Sequence, residues 1–312
     1  MSSRPQTVLG VFMSVISPAL HVRHAHRKDI ERVNEMYREE YGDGYPYPLH
    51  PGMNGRGARI VAELEGEVVA FARVTEHAGH TGTFELGGMI VDPAHRRGGI
   101  ASLMTDLRIM NVQTLDGHVA VAEPICSLST RASQRNIDKH GFVSVGILPC
   151  KYPDLKPELL GDQAESVSLA VKAIDRDEAF DDRKLYLLAE HESLVASLVP
   201  GAVNLDRECA RMRDPFPGIV RHEPVRGPRT VGSTFVDVPA NWPDARATSA
   251  AIERDGFVFC AFLPRFGRTA SGATFDAVRF VRTSRRRVRF EHIHVIDALA
   301  PLRSYLEERL GG

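Results

Sequence analysis

Phe84-Glu85-Leu86-Gly87-Gly88-Met89-Ile90-Val91-Asp92-Pro93-Ala94-His95-Arg96-Arg97-Gly98-Gly99-Ile100-Ala101 reads as a strand, a turn marked by proline, and a small-residue loop that opens into a helix. The first amides of a helix have no intrahelical partner and carry the positive end of its dipole, so a helix start of this kind attracts phosphate. Gly98, Gly99 and Ala101 let the backbone come close to an anion, and Arg96 adds a formal charge. Ile100, Leu103, Met104 and Leu107 fall on one helical face, which anchors the helix on a sheet.

Upstream, Val22–Ile30 reads as a strand followed by a helix with its N-cap at or near Asp29, and Ile30, Val33, Met36 and Tyr37 keep helical spacing. Tyr41-Gly-Asp-Gly-Tyr-Pro-Tyr-Pro48 is a loop whose three tyrosines suit either a substrate wall or a surface loop tucked onto the core. Ala58–Leu64 and Val68–Val74 form a hairpin around Glu65-Gly66-Glu67, and a strand covers 83–91. Downstream come a strand at Val119–Leu128 interrupted by Pro124, a helix at 132–140, and a strand at Gly141–Leu148.

Arg-x-x-Gly-x-Ala at 96–101, straight after a strand, together with Gly141-Phe142 closing the later helix, resembles the acetyl-CoA pyrophosphate loop and the element order of the GCN5-related N-acetyltransferases (GNAT). The resemblance covers roughly residues 20–152 and implies a mixed-sheet α+β fold with acetyl-CoA as co-substrate. It also implies cofactor contacts from Met89, Ile90 and Val91, from Arg96, Arg97, Gly98, Gly99, Ile100, Ala101 and Ser102, and from Thr130 and Ser133, where a helix cap is the plainer role for the last two. Glu85 stands where family members often place a general base, and a structural ion pair is an equal reading of it. Glu123 is the second candidate: Pro124 lacks a ladder donor and Gly87-Gly88 suits a bulge, so the two strands part beside it. The tyrosine that often protonates the leaving thiolate is replaced by Ile137, which leaves Tyr152 or His140 as substitutes.

Ala132–Pro149 aligns without gaps on Ala247–Pro264, sharing Gly-Phe-Val and Leu-Pro, while the second half lacks a phosphate-loop pattern. The expected organisation is an N-terminal extension at 1–18, a GNAT domain at 19–160, and a degenerate GNAT-like domain at 161–312 that begins past the prolines 153 and 157. In the second half, Ser166–Ile174, Lys184–Leu188 and Val288–Ile296 read as strands, and Glu192–Leu198 and Ala298–Leu310 as helices. His292 and His294 would share a strand face, but with no further ligands nearby no metal is expected. Arg285-Arg286-Arg287 reads as a solvated basic turn.

The 312 residues suffice for two medium domains, and a formal net charge of −1 argues against a general nucleic-acid or anionic-membrane binder. Cysteines 126, 150, 209 and 260 show no zinc spacing or disulfide framework, which fits a cytoplasmic setting. Val8–Ile16 is too short to span a membrane and lacks a cleavage site. The expected activity is acetyl transfer from acetyl-CoA to a primary amine by direct attack in a ternary complex. The amine belongs to a small molecule, a peptide or a protein, and the oligomeric state is left open, a dimer included. The alternative is a non-catalytic acetyl-CoA sensor or scaffold.

Overall fold

The computed structural model describes residues 20–312 apart from 43–44, 46–47, 51–55, 78, 175–183, 201–211, 213, 228 and 285–286. The N-terminal extension, Tyr47, Cys209 and Arg285-Arg286 therefore lie outside the described residues. The chain forms β1 (Leu20–His24), α1 (Ile30–Tyr41), β2 (Gly57–Leu64), β3 (Glu67–Glu76), β4 (Thr83–Glu85), β5 (Ile90–Val91), α2 (Ile100–Thr114), β6 (Val119–Ala122), α3 (Ala132–Lys139) and β7 (Val143–Tyr152). It continues through α4 (Pro157–Leu160), β8 (Glu165–Ala173), α5 (Ala189–Leu198), β9 (Val220–His222), β10 (Thr234–Pro239), α6 (Asp244–Arg254), β11 (Val258–Arg268), β12 (Thr274–Arg282) and α7 (Ala300–Leu310).

The β2–β3 hairpin follows from Glu65-Gly66: both have positive φ, 52° and 90°, as a tight turn matching right-handed strand twist requires. Alternation along these strands then divides two cores. Ile60, Ala62, Ala70 and Ala72 pack with Met104 of α2 on one face. On the other, Val61 and Phe71 pack with Val33, Met36 and Tyr37 of α1.

A single 12-stranded mixed sheet runs β1-β2-β3-β4-β6-β8-β7-β11-β12-β10-β9, with β5 pairing β3. The fold class is α+β, as the sequence pattern suggests, but the boundary at 160 is displaced. β8 inserts antiparallel between β6 and β7, with Val171 opposite Val121 on one side and Val143 on the other, so the first half of the sheet is completed only by residues 165–173. A sequence boundary drawn at prolines misses this because the intervening loop leaves the sheet and returns.

The internal repeat extends beyond its legible stretch. Gly141 and Gly256 are left-handed glycines at matching places, and Cys150 and Arg265 are matching non-glycine residues at φ 51° and 55°. Pro124 and Pro239 keep the same offset. The strand order β6-β8-β7 is answered by β11-β12-β10 in reverse, and the two sets meet where Gly146 pairs antiparallel with Ala261, its own counterpart in the repeat. A position paired with its counterpart lies on a local two-fold axis. Gly146 is a glycine there because a Cβ would sit 2.3 Å from that of Ala261.

The halves also bond side chain to backbone across the joint. Thr83 Oγ1 donates to Phe266 O (2.6 Å), and Ser233 Oγ donates to Pro149 O (2.8 Å). The predicted strand at Val288–Ile296 is instead a short 3-10 turn (Phe290–His292) and an extended segment. Its amides and carbonyls are used by the first half: His294 N donates to Cys126 O, and the buried Gln134 side chain holds His294 O (2.7 Å) and Ile296 N (3.1 Å). His292 and His294 therefore share no strand face. Lys184–Leu188 is likewise not a strand; it hangs on β10's end through Tyr186 N to Ala240 O. Among the described residues no helix is long and apolar enough to cross a membrane.

Candidate active site

β4 and β6 run parallel from Thr83 opposite Val119 to Glu85 opposite Val121, and Leu86 N makes the last bond, to Val121 O (2.7 Å). Beyond it the strands part. On the β3 side, Glu85 lies opposite Thr75 and Ile90 opposite Phe71, so the 85–90 segment holds one residue more than its partner, a bulge at Gly87-Gly88. Gly88 has φ +55°, and a Cβ there would meet the Tyr37 hydroxyl at 2.8 Å, the same hydroxyl that donates to Gly88 O (2.5 Å).

A cavity of about 860 Å³ fills this parting and reaches the start of α2. Glu85, Glu123, Met89, Ile90, Val91, Arg96, Arg97, Gly99, Ile100, Ala101, Ser102, Thr130 and Ser133 all line it; Gly98 does not. Gly99 takes the helix N-cap at φ +82° without a side-chain cap, no acid stands in the first turn, and a Cβ at Gly99 would meet nothing within 4 Å. The amide end of α2 is thus open to an anion from the cavity side. Arg96, at the cavity wall, is already paired: its Nη2 donates to Glu40 Oε2 (2.6 Å) and its Nε to Val91 O (3.0 Å). Its guanidinium fastens the loop to α1, because Glu40 at the helix end is the nearer anion.

The parting strands carry two carboxylates of opposite character. Glu85 is pushed above the ordinary glutamate range by burial and by the charge of Glu123, against Lys151, Arg73 and Arg108. Burial acts the same way on Glu123 but is overcome by Lys151 and by the hydroxyl of Tyr152, which donates to Oε2 (2.5 Å), so this carboxyl is held down at about 2. Lys151 Nζ bonds both Glu123 oxygens. Glu123 is therefore a fixed anion and a poor proton acceptor, which sets it apart from the base considered for it on its position alone.

Burial raises the Tyr152 hydroxyl well above its usual range, with Glu123 and Glu85 adding to the effect, so it stays protonated at the cavity wall. His140 does not line the cavity; its Nδ1 faces Asn136 O (2.5 Å) and its Nε2 faces Ser102 Oγ (3.1 Å), tying α3 to α2. Ile137 supplies an apolar wall. Thr130 and Ser133 make no cap bond, since α3 starts from Arg131 in a left-handed conformation.

Several lining residues escape the sequence pattern. Asn136, one turn into α3, donates to Thr105 Oγ1 (2.8 Å). Arg108, fully buried on α2, donates to Leu86 O (2.9 Å), and burial lowers its guanidinium to about 10. Tyr37, Tyr41 and Tyr45 form one stack, with Tyr37–Tyr45 centroids 4.7 Å apart and Tyr41–Tyr45 5.3 Å. Tyr41, which the structure places at the end of α1, and Tyr45 of the loop thus reach the wall beside Tyr37 of α1. The signal for Asn136 and Tyr37 was helical phase toward the cavity, available only once the sheet faces are known.

Two other clusters of histidine and carboxylate stand away from the cavity, His80/His222/Asp237 and Glu190/His191/Glu253. In the first, Arg279 Nε and Nη2 take both Asp237 oxygens at 2.6 and 2.8 Å, which puts a guanidinium where a metal cation would sit.

Residues 29–115 match the sequence model of the Acetyltransferase (GNAT) family. No curated protein matches the chain. Similar solved structures include yncA, a putative acetyltransferase from Salmonella typhimurium with its cofactor acetyl-CoA, at 20% identity over 52% of this chain and 97% of that one, TM-score 0.42. An N-acetyltransferase from Staphylococcus aureus Mu50 follows at 18% identity, 50% and 99% coverage and TM-score 0.43. The ribosomal-protein-S18-alanine N-acetyltransferase from Escherichia coli is similar at 15% identity, 51% and 99% coverage and TM-score 0.41. The likeness to the acetyltransferase (GNAT) family thus falls on residues 29–115, the segment that holds α1, the β2–β3 hairpin, Glu85 and the loop into α2.

Proposed function

We propose that this chain is an N-acetyltransferase that uses acetyl-CoA and a primary amine, with residues of the first half carrying the chemistry. The observation that supports it is the single cavity joining an uncapped helix start to a carboxyl of raised pKa at the parting of two strands. Acetyl-CoA, once bound, supplies an activated acetyl thioester. The open amides from Arg97 to Ser102 suit its pyrophosphate, and the strand parting beside Met89–Val91 suits its extended arm.

Transfer forms the bond between the amine nitrogen and the acetyl carbon, breaks the carbon–sulfur bond, and moves one proton off nitrogen and one onto sulfur. Glu85 takes the first proton; its raised pKa makes it a stronger base than an exposed carboxylate. Tyr152, protonated and held on Glu123, is the donor nearest in character to the missing tyrosine. Lys151 keeps Glu123 ionised, and so keeps this hydroxyl aimed.

The test is thiol release by the full chain from acetyl-CoA with a panel of primary amines. Amine-dependent release that falls in Glu85→Gln supports the assignment. Acetyl-CoA binding with no release for any amine would point to the sensor instead.

A further inference from the structure

Resting on the transferase reading above, we propose that the amine acceptor is a small molecule carrying an anionic group, carboxylate or phosphate, and that Arg59 and Arg73 bind that group. A second cavity, about 460 Å³, lies on the α1 face of the sheet, lined by Arg59, Arg73, Thr75, His24 and Leu49 and by Glu85, the carboxyl that also lines the large cavity. Arg73 and Glu85 are the residues common to both. An acceptor seated there would present its nitrogen to Glu85 from the side opposite the helix start.

The arginines are arranged against their own electrostatics. Arg59 and Arg73 are directly opposite on the antiparallel β2–β3 ladder, both half-buried, and like charges in that relation repel. Among the described residues no hydrogen bond or ion pair reaches either guanidinium, and Arg73 Nε is buried with no partner. By contrast, three neighbouring arginines are paired: Arg23 with Asp29 and Glu63, Arg32 with Asp92, Arg96 with Glu40. A built pair of unpaired cations beside a proton acceptor is what an amine with a neighbouring anion requires. Glu85 Oε1 and Arg73 Nε approach the same point over Gly87, 2.5 and 3.1 Å from where its Cβ would stand, so one compact molecule spans both. Gly87 lacks a side chain, which lets the two groups close over it.

The experiment compares matched acceptors with the full chain: L-alanine against alaninamide, and phosphoethanolamine against ethanolamine. The expected result is a preference of tenfold or more in kcat/KM for at least one anionic member over its neutral partner, carried by KM. In Arg59→Gln and Arg73→Gln that ratio falls toward one. Whichever pair shows the preference separates carboxylate from phosphate.

Melting of the chain without acetyl-CoA tests the subsite apart from turnover. Arg59→Gln is expected to raise Tm in anion-free buffer by relieving the repulsion, and to abolish the stabilisation that the same anions give the wild type. Equal use of neutral and anionic amines overturns the proposal, as does a wild type whose Tm ignores these anions. Anion stabilisation without acetylation of any amine would count against the transferase reading and leave the anion subsite standing.

Discussion

Two carboxyls a few residues from the same strand ends differ in protonation because their neighbours differ. Glu85→Gln should lower kcat by about a hundredfold at neutral pH, within the range of general base catalysis, with little change in acetyl-CoA affinity. The loss should shrink as pH rises, because solution then supplies neutral amine. The acid limb of kcat/KM should lie above the ordinary 4.5 of a glutamate and vanish in the variant. Glu123 acts oppositely. Its folded pKa of about 2 lies below the 4.5 of an unperturbed glutamate, so its contribution to stability is complete above roughly pH 4.5 and is lost as pH falls toward 2. Glu123→Ala leaves the Lys151 ammonium without its carboxylate and should cost about 3 kcal/mol in denaturant unfolding. The position of Glu85 was legible from the strand before the loop, but which carboxyl is the free one was not. That depends on Lys151 and Tyr152, which arrive from a strand far along the chain.

Helix α2 shows why the loop was the easiest element to read. A glycine N-cap, an apolar face and a strand before it are all local, and locality is what sequence patterns encode. Gly99→Pro should abolish acetyl-CoA binding by calorimetry, since proline cannot take φ +82° and would remove an amide. The reading of Val288–Ile296 as a strand failed for an instructive reason. Its burial alternates only in two short pieces, Val288 with Phe290 and Ile293 with Val295, and the phase slips at the 3-10 turn between them, while its polar backbone groups are satisfied by Cys126 and the Gln134 amide in place of a neighbouring strand. Periodicity reports burial, and burial alone does not name the hydrogen-bond partner. The opposed pair Arg59 and Arg73 was equally invisible, since cross-strand register puts two distant arginines side by side. At the joint, Gly146→Ala should destabilise by about 1–3 kcal/mol through overpacking against Ala261. Adding Ala261→Gly should recover much of that loss, a coupling that a double-mutant cycle measures.

At the scale of the molecule the two halves are one sheet, so cutting at 160 removes the strand that lies between β6 and β7. A fragment ending at 160 should therefore fail to fold, and one ending at 174 should fold but expose the β7 edge and aggregate. The intact chain should melt in one transition. Only the first half has the phosphate loop, so acetyl-CoA should bind once per chain; two sites by calorimetry would refute this.

Where Gly146 meets Ala261, the sheet has the geometry that two identical subunits would adopt if they joined edge to edge about a rotation axis. Identical subunits inherit every substitution together, so neither can discard an active-site residue while the other keeps it. Joined in one polypeptide, they are released from that bond. Glu123, Lys151 and Tyr152 stand at places whose counterparts are Val238, Phe266 and Gly267, the last three buried and apolar or without a side chain. The second half here braces the first: Phe266 O receives Thr83, next but one to Glu85, and Gln134 at the cavity's own helix is clamped by the far half. Asymmetry of this kind is open to a fused pair and closed to a homodimer encoded once.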